Sequence, residues 1–142
     1  MKAKYKIPVD SLVIGMIAHF RAEKRQEVLV NACLNLFEKY PKVHLVFVGN
    51  EEYGSFMDSE VIIIKDKVEQ RGFSNRMTIA HDTNSSDVLP ILDIGVLLSN
   101  NEGMPNVIME YMAYELPVVT NDHAGCVTLL GEDYPYYTGN EP

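Results

Sequence analysis

The chain has 142 residues, of which 46% are hydrophobic, so it can bury one good core and is too short for two. Its 12 basic and 20 acidic residues leave a net charge of −8. This charge argues against general nucleic-acid binding, because that function needs basic surface to neutralise phosphates. We therefore expect one domain over residues 1–142, in which any anionic ligand meets a local positive site.

The sequence favours a soluble protein. No apolar stretch reaches the roughly 18 residues that span a bilayer, and residues 1–6 lack the apolar run of a signal peptide. The two cysteines, Cys33 and Cys126, have neither metal-ligand spacing nor the density of a disulfide scaffold. We expect a reducing, cytoplasmic setting, with Cys33 in the core and Cys126 in a loop.

Five apolar runs are typical of strands that are covered on both faces. They are Leu12–Ala18, Val43–Val48, Met77–Ala80, Ile94–Leu98 and Leu116–Thr120. Amphipathic segments between them predict helices over Gln26–Tyr40, Ser86–Leu92, with Ser86 as its cap, and Pro105–Tyr114.

One segment allows two interpretations. Val61–Arg71, followed by Gly72, could form a helix, although its run of four β-branched residues would also suit a strand. The alternation elsewhere predicts an α/β fold with a doubly wound, Rossmann-like parallel sheet, which binds its ligands beyond the carboxyl ends of the strands.

The segment Ser99–Glu110 joins the fourth predicted strand to its helix and so lies where such a sheet binds ligands. Gly103 allows close backbone approach, Pro105 presets the first helical turn, and the free N–H groups there can hold an anion or sugar hydroxyls. Glu110 falls on the flank of the predicted buried stripe, where a carboxylate can line the crevice. That stripe consists of Val107, Ile108, Tyr111 and Met112.

The alternative for these acids is structural. Glu102 would then be an acid favoured by the helix dipole at the start of the helix, and Glu110 an ordinary solvated glutamate.

Glu102 and Glu110 resemble the E-x7-E motif of the retaining group-one (family four) glycosyltransferases. Other segments follow in the order found in the C-terminal, donor-binding domain of that family. They are Phe20–Lys24, Val48-Gly49, Leu97–Ser99, Met112-Ala113, Pro117–Thr120 and Ala124-Gly125. The resemblance covers about Leu12 to Leu130, and it implies one half of a two-domain GT-B enzyme whose acceptor domain is absent from this chain.

The resemblance also implies roles for particular residues. Glu102 would contact the donor sugar, Lys24 the diphosphate and Glu110 the ribose, with Glu102 and Lys24 as the catalytic pair. His19 stands where the family has an arginine, and the guanidinium fork that it lacks leaves its role open. The donor-binding residues implied besides Glu110 are Gly103, Met104, Pro105, Asn106, Arg21, His19 and Gly49.

The activity that the resemblance implies is transfer of a hexose from a nucleotide diphosphate sugar, such as a UDP- or GDP-hexose, with retention. The acceptor would be a sugar or a lipid-linked sugar in glycan or polysaccharide biosynthesis. We expect no cofactor, no metal and no nucleic-acid partner. The N-terminal acceptor domain would be the partner of this chain and could bring the enzyme to the inner face of the membrane. Alone, the chain is expected to bind the donor without turnover.

Two alternatives use the same architecture. One is another enzyme class, a nucleotide-sugar epimerase or a phosphorylase-like enzyme, although no pyridoxal-phosphate lysine is evident. The other is a non-catalytic signalling module, which would need acids after the first strand, where this chain instead has His19, Arg21, Lys24 and Arg25. We expect the remaining histidines to be loop or surface residues rather than metal ligands, and they are His44, His81 and His123.

Overall fold

The computed structural model describes residues 2–20, 22–49, 58–81, 83–98, 105–122 and 124–138. One sheet of six parallel strands has the order β3-β2-β1-β4-β5-β6. The strands are β1 (Leu12–Ile17), β2 (Val43–Val48), β3 (Met77–Ala80), β4 (Ile94–Leu97), β5 (Val118–Asn121) and β6 (Tyr137–Thr138). The helices are α1 (Gln26–Lys39), α2 (Asp58–Gln70), α3 (Ser85–Val88), α4 (Asn106–Ala113) and α5 (Ala124–Leu130).

The sheet is covered on both faces, which confirms the doubly wound architecture. Successive residues of a strand point to opposite faces, and β2 shows this clearly because all six of its residues are buried. Leu45 and Phe47 pack in a cluster with residues of α1 and α2, whereas Val46 and Val48 pack in a second cluster with residues of α3, α4 and α5. None of the helices in the described ranges is long and apolar enough to cross a membrane.

The segment with two possible interpretations is a helix. In α2 the buried residues are Val61, Ile64 and Val68, whose spacing places them on one side of a helix, while Ile62 is 54% exposed. The helix ends before Gly72, which has a φ of 78°. Burial of one stripe against the sheet therefore outweighs the strand preference of the β-branched run.

The structure corrects several boundaries and positions. The short helix α3 begins at Ser85 rather than being capped by Ser86, and α5 and β6 were not predicted. In α4 only Ile108 and Tyr111 of the predicted stripe are fully buried, and Met112 is 45% exposed. Cys126 lies buried in α5 rather than in a loop, with its Sγ 3.2 Å from Thr120 Oγ1. Cys33 is in the core, as predicted.

The prediction for His44 is also wrong. The side chain is buried in β2, where its Nε2 lies 2.8 Å from Thr78 Oγ1, and that hydroxyl donates to the Tyr5 carbonyl. Burial and, to a smaller extent, the nearby positive charge of Arg76 together lower the pKa of His44 to about 4. The folded protein therefore favours the neutral imidazole.

Two glycines at the centre of the sheet make room for side chains of the second cluster. Gly15 and Gly95 pair across β1 and β4. A Cβ on Gly95 would lie 2.6 Å from ring carbons of Tyr111, and one on Gly15 would lie 2.4 Å from a methyl group of Leu92. Both contacts are closer than real Cβ atoms allow, so these positions set how closely α4 and the Leu92 segment approach the sheet.

We predict that Gly95→Ala lowers the free energy of unfolding by about 1–3 kcal/mol, the usual cost of overpacking a core. The Tyr111 ring cannot move aside easily, because its hydroxyl is bonded to the backbone of both β1 and β4. Gly15→Ala is the matched control and should cost less, since the Leu92 side chain can rotate away. Urea unfolding measures both, and equal costs would contradict the idea that the Tyr111 ring is held rigidly.

We predict that His44 makes the stability depend on pH below the ordinary histidine pKa. Its pKa is 6.5 in the reference state and about 4 in the folded chain, so its contribution is complete above about pH 6.5 and is lost as pH falls towards 4. His44→Gln removes this titration while leaving a group that can hydrogen-bond. Urea unfolding between pH 7 and 4 should show a shallower loss in the variant, and parallel curves would contradict the assignment.

Candidate functional site

The main candidate site lies at the carboxyl ends of the central strands. The chain runs from β1 to β2 and β3 on one side of the sheet and to β4, β5 and β6 on the other. Such a topological switch point leaves a crevice between the outgoing loops, and here a cavity of about 510 Å³ occupies it. The strand residues in its wall are Ile17, Val48 and Leu97, one from each of β1, β2 and β4.

The structure brings six residues of the predicted site to this cavity. His19 and Lys24 come from the connection between β1 and α1, and Gly49 follows β2. The remaining three lie immediately before α4 or within its first five residues. Those three are Pro105, Asn106 and Glu110. The other predicted site residues, Arg21, Glu102, Gly103 and Met104, lie outside the described residues.

The loop that carries His19 and Lys24 is fixed by buried contacts at its base. Phe20 is 2% exposed, and its ring centre lies 5.9 Å from that of Phe47 on β2. Gln26, the first residue of α1, is also buried, and its Nε2 donates a hydrogen bond of 2.8 Å to the carbonyl oxygen of His19. Lys24 is half-buried in a 3-10 turn over Ala22–Lys24 just before the helix. The lysine is thus attached to an anchored loop.

Gly49 is required by a close approach of two backbones. A Cβ at this position would lie 2.0 Å from the carbonyl oxygen of Ala18, far inside van der Waals contact. The Ala18 amide donates to Val48 O at 2.9 Å, and the Gly49 amide donates to Ala80 O at 3.3 Å. The absence of a side chain here therefore lets the ends of β1, β2 and β3 converge on the cavity.

The opposite wall is the first part of α4. Pro105 is buried in an extended conformation immediately before the helix, and its carbonyl accepts from the Ile108 amide at 3.1 Å. Glu110 is half-buried and lines the cavity. It is neither fully solvated, as the structural alternative required, nor part of the core. An acidic side chain therefore faces the same cavity as Lys24.

A third wall was not identified from the sequence. Thr83, Asn84 and Ser85 follow β3 and lead into α3, and all three line the cavity. They carry two hydroxyls and an amide, which can both donate and accept hydrogen bonds. Their position after a strand was the available signal, because the carboxyl ends of all strands in a parallel sheet share one edge.

Comparison with known proteins supports this assignment of the fold. A model of the family described as glycosyl transferases group 1 matches residues 1–140. The C-terminal domain of a group 1 glycosyl transferase, LpcC from Francisella tularensis, aligns with a TM-score of 0.81 and 24% identity, over 99% of this chain and 72% of that one. Anabaena HepE in complex with UDP and glucose aligns with a TM-score of 0.79 and 21% identity, over 90% of this chain and 34% of that one.

Curated relatives show the same relationship in sequence. The putative colanic acid biosynthesis glycosyltransferase WcaL of Escherichia coli is 27% identical over 130 residues, which are 90% of this chain and 32% of WcaL. The putative glycosyltransferase EpsF of Bacillus subtilis is 26% identical over 121 residues, 85% of this chain and 30% of EpsF. The chain thus spans about a third of the length of these relatives. With the family match over nearly its whole length, the chain belongs to the group 1 glycosyltransferases, and its fold is that of their GT-B C-terminal domains.

Proposed function

We propose that this chain is the donor-binding part of a glycosyltransferase that transfers a hexose from a nucleotide diphosphate sugar with retention. The observation that carries the proposal is the arrangement of Lys24 and Glu110, which the fold brings from distant parts of the sequence to one cavity. An ammonium group suits a diphosphate, and a carboxylate suits two adjacent ribose hydroxyls. A single cavity that both side chains line suits a ligand that carries both groups.

The proposed chemistry is mainly electrostatic. Lys24 offsets the negative charge that develops on the departing diphosphate, and Arg21 and the amides at the start of α4 add to this effect. Glu110 holds the ribose, while Glu102 orients the sugar so that its anomeric carbon faces the acceptor. Protein groups supply this charge stabilisation, and we propose no resident cofactor or metal.

The proposed biological setting follows from the relatives. WcaL is named for colanic acid biosynthesis, and HepE was solved with UDP and glucose. We infer for this chain a role in polysaccharide biosynthesis with a sugar or lipid-linked acceptor. The acceptor would bind to a second domain, since the relatives are about three times as long as the matched region. We place the whole enzyme in the cytoplasm, at the inner face of the membrane.

The donor class can be tested by thermal stability. UDP, GDP and ADP, each at the same concentration, should raise the unfolding temperature, and the nucleotide that binds most tightly should raise it most. The nucleotide that raises it most identifies the base. A failure of all three diphosphates to stabilise the chain would contradict the proposed function.

We predict that Lys24→Ala lowers the affinity for the nucleoside diphosphate that stabilises the chain most by about tenfold or more, because a hydrogen bond to a charged group contributes about 1.5–3 kcal/mol. The affinity for the corresponding nucleoside should stay nearly unchanged. Calorimetry with both ligands gives the comparison. Lys39→Ala is the matched control, because Lys39 is exposed in the last turn of α1, at the far end of the helix from the cavity. Equal losses for diphosphate and nucleoside would rule out a phosphate contact for Lys24.

We predict that Glu110→Gln weakens the binding of ribonucleotides by about 1–3 kcal/mol, because the amide keeps the size of the side chain but loses its charge. A 2′,3′-dideoxynucleotide lacks the two hydroxyls and should bind the variant and the wild type alike. Glu115→Gln is the control, since Glu115 is exposed just beyond α4 and does not line the cavity. If the variant binds the ribonucleotide and the dideoxynucleotide more weakly to the same extent, Glu110 does not bind the ribose.

A further inference from the structure

A tyrosine hydroxyl lies where the two central strands separate. The ladder between β1 and β4 pairs Ile14 with Ile94, Gly15 with Gly95 and Met16 with Val96. Beyond it, the Ile17 amide donates a hydrogen bond of 3.1 Å to the hydroxyl of Tyr111, and that hydroxyl donates one of 3.0 Å to the Val96 carbonyl. One oxygen therefore links the strands at the point where they stop pairing directly.

The position of this oxygen connects both walls of the cavity. Ile17 lines the cavity and leads into the loop that carries Lys24, and Tyr111 directly follows Glu110 in α4. Tyr111 itself is completely buried, and its ring occupies the space that a side chain on Gly95 would fill. A hydroxyl can accept one bond and donate another, which suits it to join an amide to a carbonyl. No apolar side chain of the same shape can do this.

We propose that Tyr111 is a positioning residue, which fixes the distance between the end of β1 and helix α4 and thereby the separation of Lys24 and Glu110. This inference rests on the proposed function. A nucleoside diphosphate that meets both residues at once gains from having them at the right spacing, whereas a ligand that meets only one of them does not. Loss of the hydroxyl should therefore affect the intact nucleotide more than its parts.

The test is Tyr111→Phe, which removes only the hydroxyl. The probes are whichever of UDP, GDP and ADP stabilises the wild-type chain most, the corresponding nucleoside, and inorganic pyrophosphate. We expect the affinity for the diphosphate to fall about tenfold, which corresponds to the loss of about one hydrogen bond to the ligand. The affinities for the two smaller ligands should stay within about twofold of wild type. Titrations followed by NMR measure all three affinities, including weak ones.

The matched control is Tyr134→Phe. The hydroxyl of Tyr134 makes the same two kinds of bond, accepting from the Val118 amide at 2.8 Å and donating to the Val118 carbonyl at 2.8 Å. Tyr134 does not line the cavity. Its variant should lose stability in urea without any selective loss of the diphosphate, so a general effect of destabilisation is separated from positioning.

A second measurement needs no ligand. In Tyr111→Phe the amide proton of Ile17 should exchange with solvent about tenfold faster than in wild type, since it loses its acceptor. The amide of Ile14, which faces β2 on the other side of β1, should stay protected. An unchanged exchange rate of the Ile17 amide, or an equal loss of affinity for all three ligands, would overturn the inference. If no diphosphate binds the wild-type chain, the proposed function fails, and exchange at Ile17 alone then decides whether Tyr111 links the strands.

Discussion

The contact of Tyr111 with the two central strands is the constraint on which the rest of the structure depends. The ring fits against Gly95 because that residue has no side chain, and the hydroxyl is bonded to β1 and β4 at once. These contacts place α4 on the sheet at a fixed depth. Burial strongly raises the pKa of the Tyr111 hydroxyl, so it keeps its proton and its role as a donor at every physiological pH. Because Tyr111 directly follows Glu110 in α4, these contacts also set the position of Glu110.

The other wall of the cavity depends on backbone approach rather than on a side chain. Gly49 admits the Ala18 carbonyl to a distance that any Cβ would block, and Gln26, at the start of α1, donates a hydrogen bond to the next carbonyl, that of His19. Both contacts act on the loop that carries Lys24. A net charge of −8 disfavours the distant approach of an anion, so the proposed binding of a diphosphate would rely on such short-range, well-placed groups. The buried contacts at the base of the loop that carries Lys24 are consistent with that requirement.

Membership of the group 1 glycosyltransferases and the cavity together limit what the chain can contribute. Its fold is that of a C-terminal GT-B domain, and the described walls carry the ammonium, carboxylate, hydroxyl and amide groups that the proposed phosphate and ribose contacts would use. The wall of Thr83, Asn84 and Ser85 widens the site beyond the residues that the family motif indicates. An acceptor would need surface beyond this cavity. The proposed role of these residues is therefore limited to the donor half of the reaction.

The sequence by itself determined the kinds and order of most elements, because apolar runs and amphipathic periods are local properties. It predicted β1 to β5, α1 and α4 to within a few residues, and the carboxyl edge of the sheet as the place for a ligand. Contacts between residues of different helices and strands were decided only by the tertiary structure. These include the burial of His44 beside Thr78, the packing of Cys126 against Thr120 in an unpredicted helix, and the bonds of Tyr111 to Ile17 and Val96. Such contacts join residues that no local period relates, so packing alone could reveal them.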